Sequence, residues 1–234
     1  MLILPRYLPY IVAPALIGLA LLVYGSPQQL SPVYYVLVYC AGWLAFGGQR
    51  WQTRAQWLQA LPLPVVVRAL GLGYGAVIIE EMLVGTLFAL NEGFTLATWI
   101  ERMGQFVAFN LLAFTGMICG MALAVWQMPG LRAWHFWLAG GWGLFAEHVL
   151  AMIPINPIAA AIIAPPTMAV YSVILAPMVL SLPRPGTGAT PRLWHLPLAW
   201  ALMYALSIPP VLLLDSLRTA YPTAFPICDY IACD

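Results

Sequence analysis

The stretch that decides the fold is Leu63–Leu90, LPVVVRALGLGYGAVIIEEMLVGTLFAL, an apolar run with one arginine and the adjacent glutamates Glu80 and Glu81. A helix rises ~1.5 Å per residue, so this run is long enough to cross the ~30 Å hydrocarbon core of a bilayer with some tilt. It therefore predicts a membrane-spanning helix. Charged side chains are costly at such a depth, and the two glutamates need an explanation.

The whole chain has the same apolar character. Of its 234 residues, 63% are hydrophobic and only 7% are charged, whereas a soluble domain carries roughly a quarter charged residues. The sequence predicts an all-α, polytopic membrane helix bundle, with a single transmembrane domain over residues 1–234. Seven spans are predicted: Leu8–Gly25, Pro32–Gly47, Leu63–Leu90, Gly104–Trp126, His135–Ile153, Ile158–Leu182 and Leu196–Asp215.

Arginine placement predicts the orientation, because inner loops of membrane proteins are enriched in basic residues. With the N-terminus inside, only Arg102 and Arg218 lie outside, and Arg68 is expected to snorkel to the inner interface. The remaining arginines are all inside: Arg6, Arg50, Arg54, Arg132, Arg184 and Arg192. We expect a multi-pass protein of a bacterial inner membrane, N-in and C-out, with residues 216–234 as an extracytoplasmic tail and Phe94–Met103 as a surface helix.

The composition excludes several classes of function. All nine basic residues are arginine, so there is no lysine for a retinal Schiff base or a P-loop. A net charge of +1 gives no basic surface for nucleic acid. His135 and His148 are ~20 Å apart on one span, which argues against bis-histidine haem. No Cys or His spacing predicts a metal site, and Cys228 and Cys233 in the tail are the candidate disulfide.

Polar residues inside the spans mark one layer in the outer half of the membrane. Glu80 lies ~15 Å below the outer end of its span, and Glu147 and Asn110 lie ~9 Å below theirs. Glu81 and His148 adjoin them in sequence. The layer predicts a polar pocket with Glu80, Glu81 and Glu147 as candidate catalytic acids or bases. His148 and Asn110 are its candidate ligand-binding residues, including for a pigment.

Prolines and glycines add to this prediction. Pro165-Pro166 and Pro209-Pro210 are expected to interrupt spans six and seven near the same depth, as in broken helices that line cavities. Gly71-x-x-x-Gly75 and Gly116-x-x-x-Gly120 predict close helix approach. On span five, Gly140, Gly141 and Gly143 do the same, and Glu147 shares a face with Gly140 and Gly143. Glu80 and Glu81, ~100° apart, are expected not to share a partner. A purely structural role also stays open, in which protonated glutamates hydrogen-bond across helices.

The stretch EEMLVGTLFAL, which begins at Glu80, resembles the first motif of the CAAX-type (CPBP or Abi) intramembrane protease family: two glutamates, three apolar residues and an arginine. The run Phe114-x-Gly116-x-x-x-Gly120, followed by WHFWLAGGWGLF from Trp134, resembles that family's later motif, in which a glycine-spaced helix leads to one carrying His and Asn. The resemblance implies that Glu80 or Glu81 activates water for peptide cleavage.

The chain departs from the family pattern at the partner residues. The motif arginine falls on Gly85, the later His and Asn fall near Gly140 and Gly143, and the Phe-x-x-x-His motif has no counterpart. Oxyanion stabilisation normally supplies much of the rate of acyl transfer. The resemblance therefore implies a divergent, proteolytically inactive member.

Three functions follow from these observations. The first is a non-catalytic subunit, or a lipid- or pigment-binding scaffold of a membrane complex, which ten Trp, eleven Tyr and small loops favour. The second is an intramembrane hydrolase in which His148 and Asn110 replace the missing partners. The third is an isoprenoid or carotenoid cyclase, in which Glu80, Glu81, Glu147 or Asp215 protonates an alkene. The first is our prediction. The expected partners are the bilayer and other membrane subunits or a pigment, not nucleic acid, and the cofactor stays open.

Overall fold

The structure is a computed structural model that describes residues 50–183 and 192–222, together with Tyr34, Leu37 and Val38 of an earlier helical segment. Apart from those three positions, predicted spans one and two lie outside the described residues. The candidate disulfide between Cys228 and Cys233 also lies outside them. Within the described residues every regular element is a helix, so the all-α prediction is confirmed for this part of the chain.

Four of the helices are long and apolar enough to cross a membrane by length and composition. They are α2, α3, α6 and α7, and they coincide with predicted spans three, four, six and seven. In chain order the helices are α1 (Arg50–Gln59), α2 (Val65–Asn91), α3 (Leu96–Gln127), a 3₁₀ helix (Pro129–Trp134), α4 (His135–Ala146), α5 (Val149–Met152), α6 (Pro157–Ser181) and α7 (His195–Ala220).

Local sequence sets the helix ends. At the start of α3, the Thr95 hydroxyl accepts a hydrogen bond from the Thr98 backbone N–H at 3.1 Å. At the start of α6, the Asn156 side chain accepts one from Ala159 N–H, also at 3.1 Å. Both satisfy donors that a helix N-terminus leaves unpaired. The end of α6 is set by Pro183, because the residue before a proline is driven to extended backbone, and Leu182 has ψ 152°.

The predicted surface helix at Phe94–Met103 is part of α3, not a separate element. With 32 residues α3 is ~48 Å long, well beyond the ~30 Å core of a bilayer. Its first turns are tied to the end of α2. Arg102 donates to both carboxylate oxygens of Glu92, at 2.8 and 3.0 Å, and the Trp99 indole N–H donates to the Thr86 hydroxyl at 3.0 Å.

The prediction of one continuous span over His135–Ile153 is wrong. Helix α4 ends at Ala146 and is only 12 residues, ~18 Å, long. Glu147 and His148 separate it from the four-residue α5. His148 has φ 55° and ψ 16°, a left-handed conformation that only a small fraction of non-glycine residues adopt. That reversal of backbone geometry ends the helix beside Glu147.

The predicted interruptions at the proline pairs do not occur. Helix α6 continues through Pro165, Pro166 and Pro177, and α7 continues through Pro209 and Pro210. A proline removes a backbone donor, but membrane helices tolerate the loss where neighbouring helices and local adjustments satisfy the freed carbonyl.

Close helix packing occurs at some of the predicted glycines. Helix α3 packs against α2 and α7, and α6 packs against α2 and α4. At Gly116 and Gly120 an added Cβ would overlap the backbone of α7 at Ser207 and Met203. No atom of the described residues lies within 4 Å of a Cβ added at Gly71 or Gly75, so the close approach predicted at that motif does not occur within this part of the chain.

Arginines gather at one end of the bundle, which we call the arginine end: the start of α2 and α7 and the end of α3 and α6. Arg68 does not snorkel outward, being only 7% exposed. It donates to the carbonyls of Gln59 and Ser181, at 2.8 and 2.9 Å. Arg132, 5% exposed, donates to Leu180 O at 2.8 Å and to Leu182 O. Both cations thus cap the C-terminus of α6, where the helix dipole favours positive charge.

His135 also lies inside the bundle at this end, although its place beside Trp134 predicts an interfacial anchor. It is 1% exposed, and its Nε2 lies 2.6 Å from the carbonyl oxygen of Ser172. His135 therefore joins α4 to α6. The reason is that α4 begins at His135 itself, directly against α6, and not at a helix end that faces water.

Candidate functional site

The three predicted acids converge in the interior of the bundle. Glu80 and Glu81 lie on α2 and are 9% and 4% exposed. Glu147 follows the last residue of α4 and is half-buried. It lies close enough to interact electrostatically with both glutamates of α2. The two glutamates have different hydrogen-bond partners on other elements: Glu80 accepts from the Tyr34 hydroxyl, and Glu81 interacts with the Asn110 amide.

Two tyrosine hydroxyls orient these carboxyls. The Tyr171 hydroxyl, on α6, donates a hydrogen bond of 2.6 Å to Glu147 Oε1. The Tyr34 hydroxyl, from the earlier helical segment, donates to Glu80 Oε1. The partners lie 24 and 46 residues apart in the chain, so tertiary packing alone brings them together. Neither tyrosine is among the predicted site residues.

The position of Tyr171 depends on Gly143. A Cβ at Gly143 would collide with the ring of Tyr171, so glycine lets α4 approach α6 at this level. Glu147 lies one turn beyond Gly143 on α4, as predicted, and meets the tyrosine hydroxyl there. On its other side the Tyr171 ring stacks on Phe114 of α3, with centroids 5.9 Å apart and planes 11° apart.

Asn110 on α3 completes the group. Its side-chain amide interacts with the Glu81 carboxyl. Four helix segments and the earlier helical segment therefore contribute to one set of polar side chains, which we call the acidic cluster. Its members are Tyr34, Glu80, Glu81, Asn110, Glu147 and Tyr171.

His148 and Asp215 are not part of the acidic cluster. His148 is the residue after Glu147, but its left-handed backbone leaves it exposed at the break between α4 and α5. Asp215 is exposed near the end of α7. Of the predicted site residues, the structure brings together Glu80, Glu81, Glu147 and Asn110.

The two carboxyls of α2 also contact each other. Glu80 forms a side-chain hydrogen bond with the adjacent Glu81 as well as with Tyr34. Among the described residues, no group of three or more His, Cys, Asp or Glu side chains could hold a metal ion.

The arrangement has two chemical capabilities. Carboxyls in a weakly polar interior exchange protons, and they attract a cationic group more strongly than they would in water. The Tyr171 ring is itself covered, between Gly143 of α4 and Phe114 of α3, and only its hydroxyl reaches a carboxyl. Comparison with protein-family models, curated proteins and solved structures finds no match to this chain, so its function has to be argued from the site itself.

Proposed function

We propose that this chain is a multi-spanning membrane protein in which the acidic cluster is a non-catalytic ligand-binding site of a membrane scaffold or subunit. The observation that carries the proposal is the convergence of Glu80, Glu81 and Glu147 with Asn110 and Tyr171. Packing alone would be served by apolar side chains at these positions at lower cost in a bilayer. A binding site explains why several helices direct polar groups to one place.

The exterior of the bundle supports membrane embedding. Large apolar side chains on its surface are strongly exposed, with Ile79 and Ile158 each at 72% and Leu212 at 60%. In water such a surface would drive aggregation, whereas in a bilayer it contacts lipid tails. We propose seven crossings of a bacterial inner membrane, the fifth made by the broken pair α4 and α5, with the arginine end inside. The gathering of Arg68, Arg132 and Arg192 there supports that orientation.

Identification of the bound molecule tests the proposal. The chain is extracted from its own membrane in mild detergent, and native mass spectrometry compares the wild type with Glu81→Gln and Glu147→Gln. The matched control is Glu101→Gln, which makes the same change at an exposed position outside the acidic cluster. We expect one bound molecule in the wild type and the control, and its loss in the other two variants. A wild type with nothing bound, or equal binding in all four proteins, would overturn the proposal.

An intramembrane hydrolase is the second candidate, and the contact between Asn110 and Glu81 favours it. Glu81 would then act on water while Asn110 donates to the developing oxyanion. Peptide cleavage in proteoliposomes decides between the candidates. Turnover that disappears in Glu81→Gln, with folding intact, would replace the binding function by the catalytic one.

A further inference from the structure

Exposed tryptophans gather at the arginine end of the bundle. Four of them, each more than half exposed, lie on four different elements of that end: Trp57 of α1, Trp126 at the end of α3, Trp137 in the first turn of α4 and Trp194 directly before α7. Every other tryptophan whose side chain the structure describes is more strongly buried. Tryptophan is enriched at headgroup depth, because its ring is apolar and its N–H is polar. The four side chains, which we call the tryptophan belt, indicate that this end lies in a membrane interface.

Helix α1 adds a cationic face at the same end. Ala55 and Leu58 pack into a hydrophobic cluster with α6, and the Gln59 side-chain amide donates to two carbonyls at the end of α6, at 2.8 and 3.1 Å. These contacts fix one face of α1 to the bundle. Arg54 and Trp57 are three positions apart, so they share another face of the helix, and both are exposed. With ten residues, ~15 Å, α1 is too short to cross a bilayer.

The positive charge of the arginine end is not balanced by acidic residues. Arg54 and Arg192 are exposed there, and Arg68 and Arg132 are buried beside the end of α6. The acidic residues of the described part of the chain all lie elsewhere, in the acidic cluster or near the end of α2, the start of α3 and the end of α7. Such a surface attracts anions, which a bilayer interface presents as the phosphates of charged lipids. The tryptophan belt favours lipid over a soluble acidic partner, because it places these arginines at headgroup depth.

We infer that the arginine end binds anionic phospholipid, whose phosphate accepts hydrogen bonds from Arg54 and Arg192 while its acyl chains lie against the tryptophan belt. A zwitterionic lipid also carries a phosphate, but its own ammonium group cancels most of the attraction. The net charge of the headgroup is therefore what this surface recognises. The inference is independent of the proposed binding function, because the acidic cluster contributes no residue to this surface.

Lipid preference, measured with the whole chain in vesicles, tests the inference. Brominated phosphatidylcholine quenches tryptophan fluorescence, and its stepwise replacement by non-brominated phosphatidylglycerol of equal chain length restores the signal in proportion to binding. We expect phosphatidylglycerol to bind at least about fivefold more tightly than phosphatidylcholine. The preference should fall toward one when NaCl is raised from ~0.1 to ~1 M, since the Debye length shrinks from ~10 to ~3 Å. Equal binding of the two lipids at low salt would overturn the inference, and this comparison needs no substitution.

Substitutions locate the surface. Arg54→Gln and Arg192→Gln should each lower the preference by about two- to fivefold, and the double variant should bring it close to one. Both residues are exposed, so the fold should stay intact. Arg218→Gln is the matched control, because Arg218 lies near the end of α7 and covers the ring of Phe109. A double variant that keeps the wild-type preference, or a control that loses as much of it, would overturn the assignment to the arginine end.

Inorganic phosphate separates a lipid from a small anion. Added to the same vesicles at matched ionic strength, it should leave the preference for phosphatidylglycerol unchanged, because it has no acyl chains to contact the tryptophan belt. If phosphate abolishes the preference at that ionic strength, the surface recognises a free anion and the lipid assignment is wrong.

Discussion

Replacing Gly116 by alanine should destabilise the bundle, because the added methyl group has no space. A Cβ at this position would overlap the Cα and backbone N of Ser207 on α7. A flexible side chain could move aside, but backbone atoms cannot, so α7 must shift away from α3. Overpacking of this kind typically costs ~1–3 kcal/mol. Alanine regains up to ~1 kcal/mol of helix propensity over glycine. The net expectation for Gly116→Ala is therefore a loss of about 1–2 kcal/mol.

Gly75→Ala is the matched control, since it adds the same methyl group to the neighbouring helix α2, where no atom of the described residues lies within 4 Å. At Gly75 only the higher helix propensity of alanine applies, so the free energy of unfolding should stay unchanged or rise by up to ~1 kcal/mol. Reversible unfolding in mixed micelles, driven by increasing SDS and followed by tryptophan fluorescence, measures both free energies of unfolding. Equal effects of the two substitutions would refute the assignment of Gly116 to a backbone-to-backbone contact between α3 and α7.

Three further results are expected. Arg132→Gln should lower the free energy of unfolding by ~2–3 kcal/mol, because it removes charge-assisted hydrogen bonds to the buried end of α6. Tyr171→Phe should lower it by ~1–3 kcal/mol, because Glu147 Oε1 loses the Tyr171 donor inside the bundle. In a cysteine-free background, a membrane-impermeant maleimide applied to intact cells should label Leu96→Cys and not Leu193→Cys, which are exposed at opposite ends of the bundle.

Each of these has a comparison that makes it decisive. Arg54→Gln and Tyr204→Phe change exposed residues of the same types and should alter stability by less than ~0.5 kcal/mol. An Arg132 variant as stable as the Arg54 variant would contradict its role at the end of α6. Likewise, a Tyr171→Phe variant as stable as the Tyr204→Phe variant would contradict a stabilising hydrogen bond from Tyr171 to Glu147. Labelling of position 193 from outside would reverse the proposed orientation.

The sequence predicts the long helices well, because runs of apolar residues this long have few alternatives to a spanning helix. It does not predict the break at Glu147–His148. Neither glycine nor proline marks that position, and the left-handed conformation of His148 is set by packing of the whole chain. At the proline pairs the sequence predicts a break that does not occur. Each proline removes a backbone donor, but α6 and α7 continue through these positions.

Among the polar residues, too, the sequence predicts some positions and not others. Depth along the spans brings Glu80, Glu147 and Asn110 to one level, and the structure does bring them together. The sequence does not indicate that Tyr171 belongs to the acidic cluster, because a single tyrosine in an apolar run has no distinguishing pattern. Its role depends on the contact with Gly143, which only the structure reveals. Arg68 is misjudged because a basic residue near a span end normally points to the interface. Its acceptors are the carbonyls of Gln59, Leu61 and Ser181, and none of these belongs to the apolar part of the span that carries Arg68.

The capped end of α6 has a consequence for biogenesis. Its donors, Gln59, Arg68 and Arg132, are all synthesised before the carbonyls of residues 180–182 that they bind. In the proposed orientation, Arg68 and Arg132 would stay in the headgroup region on the inner side until the end of α6 has been made. Synthesis of α6 would then supply their acceptors and hold the earlier helices against it. A fragment that stops before Leu180 should leave both arginines at the interface and its helices loosely associated.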